Sequence, residues 1–326
     1  MARQWCTRMA LRRAATGLVG ALGIAALLSC TAGSARAGLD WVGVNMPWIG
    51  YGWGFGSSYN GSTVDGYLNE IKYTYHCNFV RIWLCEGLDG LSFNSSGACT
   101  GLSTTNLNNI KDFVARANNK GLTTDCVFIN YMDVQNHPNY INNSTNYNAL
   151  ISKGFIPIAK ALNGYNVVFD LVNEGNIATN KVTWSQLRAF CSAAVSSAHS
   201  NGVTRWITMS DQWYGDYTSN FNGTVGGLGF DFYDYHSYDS NGGINVSPSN
   251  VGGKPLLLGE YGPSSTWSSR SDSANQTTID AFMNNASNKG LKGAIAWCYL
   301  DDGSSWGLRG RNQMYNISWW SQHFGH

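Results

Sequence analysis

Apolar runs of strand length recur along the whole chain, and helix-like segments separate most of them. In order they are Trp41–Val44, Phe79–Leu84, Thr124–Ile129, Val167–Val172, Trp206–Met209, Phe230–Tyr235, Leu256–Leu258 and Ala294–Trp297. The intervening helical segments are placed at about 64–75, 105–119 (capped by Ser103 or Thr104), 147–162, 184–200 and 273–289, with a short final helix near 317–324. After the fifth and sixth runs the helical periodicity fades, so irregular or one-turn connections are expected there. Continuous apolar runs alternating with helices indicate parallel strands covered on both faces. Eight such units in 326 residues point to one α/β domain, a (β/α)8 TIM barrel. A doubly wound open sheet would be the alternative, but no Gly-rich phosphate loop follows the first run.

The barrel reading starts at residue 38, because the first 37 residues have another character. Arg3, Arg8, Arg12 and Arg13 precede an apolar stretch from Leu18 to Leu28, and small residues lead to Ala35-Arg36-Ala37. That order is the one of a secretory signal peptide over 1–37, cleaved after Ala37. The apolar stretch is too short to span a bilayer. Leu27-Leu28-Ser29-Cys30 leaves open a lipoprotein anchor on Cys30, and Arg12-Arg13 a twin-arginine signal with poor flanks. A secreted or periplasmic protein is expected. Cys77, Cys85, Cys99, Cys126, Cys191 and Cys298 follow the leader, with no CxxC or Cys/His spacing for a metal. Export favours some pairing, and Cys85 with Cys99 is the preferred disulfide.

Only 13% of residues are charged, the net charge is +1, and the chain carries 13 Trp, 17 Tyr and 38 Gly. With no basic stripe, nucleic acid is excluded as a natural partner. An aromatic-rich, weakly charged chain suits a neutral polar ligand.

In a barrel of this kind, function resides at the C-terminal strand ends. Those ends carry Asn45, Arg81, Trp83, Asn130, Tyr131, Asn173, Glu174, Asp211, Trp213, His236, Tyr238, Glu260 and Trp297. Two glutamates stand out. Glu174 ends Val-Val-Phe-Asp-Leu-Val-Asn-Glu, and Glu260 ends Leu-Leu-Leu-Gly-Glu. An acid at the end of a buried strand is costly unless it serves a purpose. Two of them on separate strands are what a retaining glycosidase requires.

Val80-Arg81-Ile82, Asn173-Glu174, His236-Ser237-Tyr238, Gly259-Glu260 and Trp297 occur in that order on the second, fourth, sixth, seventh and eighth strands. Together they resemble the clan A glycoside hydrolases, most nearly the family-five, cellulase- and mannanase-like branch, over the whole mature chain. The resemblance implies Glu174 as acid/base, Glu260 as nucleophile and Asn173 as the partner of the sugar 2-OH. It further implies Arg81 as the cation beside the nucleophile, His236 and Tyr238 as its hydrogen-bonding pair, and Trp297 as the aromatic floor. Asn130, Trp213 and Trp53 are added as sugar contacts. Asn130-Tyr131 departs from the histidine that many relatives place after strand three. The Gly-aromatic loop 47–56 is either a stacking platform or packing on the barrel mouth. Glu86, Asp133 and Asp301-Asp302 are read as solvated loop acids. The implied protein is a monomeric hydrolase of a β-linked hexose polysaccharide, mannan or glucan, with no metal or other cofactor and no membrane span. A catalytically silent carbohydrate-binding barrel, an exo-acting enzyme and a β-galactan hydrolase are the alternatives.

Overall fold

The computed structural model describes residues 38–49, 54–300, 303 and 305–324. The signal segment with Cys30, the loop residues Tyr51 and Trp53, and Asp301-Asp302 lie outside the described residues. Nine parallel strands form the main sheet: β1 (Trp41–Asn45), β2 (Phe79–Trp83), β3 (Thr123–Asn130), β4 (Val167–Asn173), β5 (Trp206–Thr208), β6 (Ser210–Asp211), β7 (Tyr233–Tyr238), β8 (Leu256–Gly262) and β9 (Gly293–Ala296). Their order is β5-β4-β3-β2-β1-β9-β8-β7-β6. Only Met209 separates β5 from β6. The first half of this strand position pairs with β4 and the second with β7, so the cylinder is nearly closed as an eight-position TIM barrel.

The helices follow the expected intervals: α1 (Gly61–Asn69), α2 (Thr104–Asn119), α3 (Ser144–Leu150), α4 (Ile156–Leu162), α5 (Trp184–Ser200), α6 (Tyr214–Thr218), α7 (Asp272–Asn288) and α8 (Asn312–Phe324). Ser103 caps α2 by accepting from the Asn106 amide, and Thr183 caps α5 in a reciprocal box with Gln186. The segment expected as one helix over 147–162 is broken by a π turn at Ile151–Phe155. As expected, the connections after the fifth and sixth positions are short: α6 has 5 residues, and a 3-10 turn covers Pro248–Val251. The sixth strand lies three residues later than the apolar run suggests. Phe230 and Phe232 are buried before it begins, which made the run look like the strand itself.

The barrel interior is layered. Near the N-terminal ends, Phe79, Val168, Phe232, Leu257 and Ile295 form an apolar plug against Trp41 and Trp206. Two residues further along each strand, the same inward face carries Arg81, Asp170, Asp234 and Gly259 instead, joined by Asp125 from β3. Arg81 and the three aspartates are fully buried. Nearer the mouth, Trp83 and Val127 pack with Trp48 and Trp297. Gly43 of β1 is required by closeness: a Cβ there would lie 1.9 Å from the Phe79 carbonyl oxygen. No helix among the described residues is long and apolar enough to cross a membrane.

The cysteine expectation is corrected. Cys85 and Cys99 are free, buried thiols, as are the other four described cysteines. Cys99 turns its thiol to the Gly101 carbonyl instead.

Candidate active site

Glu260 is aimed by an irregularity in β8. Register against β7 shifts between Leu258 and Glu260, a β-bulge at Gly259. The Gly259 amide donates to Asp234 Oδ1 at 2.8 Å, and its carbonyl accepts from Asn45 Nδ2 at 2.8 Å. No larger residue fits, because a Cβ would sit 2.1 Å from Asp234 Oδ1. The bulge turns the next side chain to the mouth, where Glu260 is 3% exposed.

Glu260 receives Arg81 Nη1 at 2.6 Å on one oxygen and the Tyr238 hydroxyl at 2.5 Å on the other. Arg81 is itself held from several sides: Asn45 Oδ1 at 3.1 Å, Asp170 Oδ2 at 2.7 Å, Asn173 Oδ1 at 2.8 Å and Asp125 Oδ2 at 3.1 Å. Burial opposes the guanidinium charge, but Glu260, Asp170, Asp125 and Asp234 outweigh it and hold its proton more tightly. One cation cannot neutralise four carboxylates, so part of this cluster is protonated. Burial pushes Asp125 up to about 7 against the pull of Arg81, and lifts Asp234 well above the carboxylate range.

Glu174 is placed differently. It follows β4 in the left-handed region, with φ 50° and ψ 50°. A non-glycine residue there is strained and persists only if its surroundings hold it. Its amide donates to Ser210 Oγ at 3.0 Å, and the next residue, Gly175, sits against Met209. Among the described residues its carboxylate has one hydrogen-bond partner, His236 Nδ1, at 3.1 Å from Oε1. Burial pushes Glu174 up to about 7, with Arg81 opposing and Asp170 adding to the rise. Burial also raises Glu260, with Glu174 contributing, while His236, Arg81 and the Tyr238 hydroxyl oppose. The two direct bonds from Arg81 and Tyr238 make Glu260 the better seat for the negative charge. Burial lowers His236 to about 4, so its ring is neutral at neutral pH. Its Nδ1–H can donate to Glu174.

One ligand atom from each of Glu174, His236 and Glu260 lies within 4.8 Å of the others. These three are the side chains that could hold a metal ion. Both Glu260 oxygens, however, are already taken by a guanidinium and a hydroxyl, so the cation position beside this carboxylate is filled by Arg81.

The site opens into a cleft of about 450 Å³, lined by Trp48, Trp83, Glu86, Asn130, Tyr131, Asn173, Tyr238, Trp297 and Trp306, among others. Trp83 and Trp297 stand 5.6 Å apart at their centroids, with Trp48 5.2 Å from Trp83. They make an aromatic wall beside Glu260. Trp297 precedes a cis peptide to Cys298. Asn130 and Tyr131, which stand where many relatives have a histidine, reach the cleft. Asn130 Oδ1 accepts from Asn173 Nδ2 at 3.4 Å. A second hollow of about 410 Å³, lined by His236 among others, shares Gln212 and Tyr238 with the first.

Arg81, Asn130, Asn173, Glu174, His236, Tyr238, Glu260 and Trp297 therefore come together. Trp213 is not among the residues lining this cleft: its amide donates to Asp211 Oδ1 at 2.7 Å and the residue is 52% exposed. Trp53 lies outside the described residues. Glu86 and Asp133 are not solvated loop acids. Glu86 lines the cleft, and burial pushes it up to about 7 with Asp133 adding. Asp133 is 6% exposed and rises to about 6 by burial, against hydrogen bonds from the Asn130 and Gly87 amides. The buried aspartates around Arg81 were missed as part of the site. Their signal was an Asp at an inward position inside three apolar runs.

Solved structures of the same fold include the β-1,4-mannanase of the sea hare Aplysia kurodai, with 21% identity, a TM-score of 0.67, and 86% of this chain and 92% of that one covered. The β-mannanase of the mussel Mytilus edulis matches with 19% identity, a TM-score of 0.69 and coverage of 88% and 94%. The β-1,4-D-mannanase of Cryptopygus antarcticus matches with 23% identity, a TM-score of 0.68 and coverage of 86% and 89%. Among curated proteins, none matches the sequence. The family model for cellulase (glycosyl hydrolase family 5) matches residues 36–303, most of the chain. The chain belongs to glycosyl hydrolase family 5, the cellulase family, and it is a glycoside hydrolase.

Proposed function

We propose that this glycoside hydrolase is an exported, retaining endo-β-1,4-mannanase, with Glu260 as nucleophile and Glu174 as acid/base. The observation that carries the retaining mechanism is the approach of the two carboxylates, one oxygen of each lying within 4.8 Å of one from the other. Inverting enzymes keep their carboxyls roughly 6.5–9.5 Å apart to admit a water, whereas retaining ones keep them about 5–5.5 Å apart.

In the first step Glu260 attacks the anomeric carbon, the glycosidic C–O bond breaks, and Glu174 gives its proton to the departing oxygen. Arg81 and Tyr238 keep Glu260 anionic until it attacks. In the second step Glu174, now a carboxylate, takes a proton from water as the water oxygen displaces Glu260 from the sugar. Asn173, oriented by Arg81, offers its amide to the sugar 2-OH, and Trp297 offers an apolar face to the ring.

The mannan assignment rests on the mannanases among the structural relatives, and the second hollow adjoining the cleft supports attack within a chain. The cellulase description of the family makes β-1,4-glucan the second reading. Residues 1–37 have the order of an export signal, which fits a polymeric substrate outside the cytoplasm. The test is hydrolysis of mannan, glucan and galactan by purified protein, with proton NMR of the first-formed anomer. Release of β-anomeric manno-oligosaccharides of mixed length supports the proposal. First-formed α-anomers, or turnover of neither mannan nor glucan, defeat it.

A further inference from the structure

Resting on the proposed β-1,4-hexan hydrolase reading, we infer that Glu86 is a specificity residue that accepts hydrogen bonds from the C2–C3 diol of a hexose on the glycone side of the cleft. Glu86 is a wall residue of the cleft, yet among the described residues no cation pairs with it. Its Oε2 is buried without a hydrogen-bond partner. A carboxylate left unsatisfied beside a cavity destabilises the empty protein, and a ligand hydroxyl donating to it removes that cost.

The surrounding chain is built to hold Glu86 there. Gly87 and Leu88, directly after it, both have left-handed backbone, with φ of 63° and 61°. For Leu88 this conformation is strained, and such strain concentrates at functional positions. Asp133 pins the segment by accepting from the amides of Gly87 and Asn130. Leu84 and Cys85 are tied by their amides to the Val127 and Phe128 carbonyls at 2.8 and 3.1 Å. Asn130 links Glu86 to the reaction centre. Arg81 donates to Asn173 Oδ1, which directs Asn173 Nδ2 to Asn130 Oδ1. The Asn130 side chain in turn reaches Glu86, and its hydrogen bond opposes the rise of the Glu86 pKa. A donor of fixed orientation thus stands beside Glu86 in the cleft wall.

Chemistry selects the diol. Glu174 marks the leaving-group side, whereas Glu86 follows three residues after Trp83, which ends β2 in the aromatic wall beside Glu260. It therefore faces the sugars whose anomeric carbon is attacked. In an internal β-1,4-linked hexose, O1 and O4 are in linkages, so C2 and C3 hold the vicinal hydroxyls that remain free. Mannose and glucose differ at C2, so an acceptor fixed for one diol meets its epimer at the wrong angle.

The experiment compares kcat/KM for mannotetraose and cellotetraose in the wild type and in Glu86→Gln, an isosteric change, with thermal midpoints measured alongside. The variant should lose about 10- to 100-fold on the preferred tetraose, as for a lost charge-assisted hydrogen bond, and under 3-fold on the other. Asn130→Ala should move the epimer ratio the same way, and the double variant should add little. An unchanged ratio overturns the role of Glu86, whether activity is untouched or falls equally on both sugars. Equal loss with a lowered midpoint would show Glu86 to be structural. A wild type that turns over neither tetraose is a separate failure, of the hydrolase substrate reading, and takes this inference with it.

Discussion

The two glutamates of the cleft sit in the same barrel mouth but are held in opposite ways. Glu260 follows a bulge whose glycine is bonded on both sides, and its oxygens are bonded by Arg81 at 2.6 Å and Tyr238 at 2.5 Å. Glu174 stands in the left-handed region, and among the described residues its carboxylate is held by His236 alone, at 3.1 Å. The difference follows the work proposed for each. A nucleophile must stay ionised and aligned, so cationic and hydroxyl donors are fixed around it. An acid/base must exchange its proton each half-cycle, so burial raises its pKa while few bonds restrain the carboxylate.

The largest expected effect breaks the better-held side. Glu260→Ala should lower kcat on the order of 10⁵-fold, the scale seen when a covalent nucleophile is removed. Azide should restore turnover by entering the vacated face, giving a glycosyl azide of inverted configuration, seen by NMR. Substantial activity without azide would mean that the nucleophile is another carboxylate.

Glu174→Ala should be smaller and depend on substrate. Loss of general acid catalysis is expected to cost about 10²–10⁴-fold on polymer, and far less on a dinitrophenyl glycoside, whose leaving group needs no proton. In the wild type, activity requires Glu174 protonated in the first step. The basic limb of kcat/KM should therefore fall as pH rises through about 7. Equal loss on both substrates, or a basic limb unmoved in the variant, would contradict the acid role.

Much of this site was legible in the sequence, and the exceptions share a cause. Glu174, Glu260, Arg81, His236 and Tyr238 sit at strand ends inside short motifs, where apolar periodicity stops and a polar residue is conspicuous. The barrel was legible because its strands are buried on both faces. Asp125, Asp170 and Asp234 were hidden for the same reason: a continuous apolar run does not reveal which residue points into the cylinder. Glu86 and Asp133 were misjudged because a loop acid looks solvated until tertiary contacts cover it. The bulge at Gly259 was invisible, since it depends on register against β7 and β9. The place of Trp213 outside the cleft lining was also not legible, because it is set by loop geometry, including the bond from its amide to Asp211.

Arg81→Met tests whether the firmness around Glu260 is electrostatic. Removing one partner from a fully buried ion cluster typically costs about 3–5 kcal/mol, so chemical denaturation should show a loss of that order. In the folded fraction, Glu260 loses the cation that favours its charge, and its pKa rises. Activity needs Glu260 ionised, so the acidic limb of kcat/KM should move to higher pH. An acidic limb that stays in place would leave Arg81 with a purely structural part.

The smallest effect separates the two backbones themselves. Gly259→Ala would bring a Cβ to 2.1 Å from Asp234 Oδ1, whereas Gly175→Ala would bring one to 2.3 Å from Met209 Sδ. The clashes are similar in size but not in what must yield. Asp234 is short, fully buried, and already bonded to the Gly259 amide, so it cannot withdraw without breaking that bond. Met209 is unbranched and can change rotamer. Overpacking should therefore cost about 2–3 kcal/mol at Gly259 and about 1 kcal/mol at Gly175. Because the Gly259 carbonyl also anchors Asn45, which in turn holds Arg81, only Gly259→Ala should shift the acidic limb. Paired melts and pH profiles decide it. Equal costs, with both limbs unmoved, would show that the bulge does not tune Glu260 and that the contrast between the two glutamates stops at their side chains.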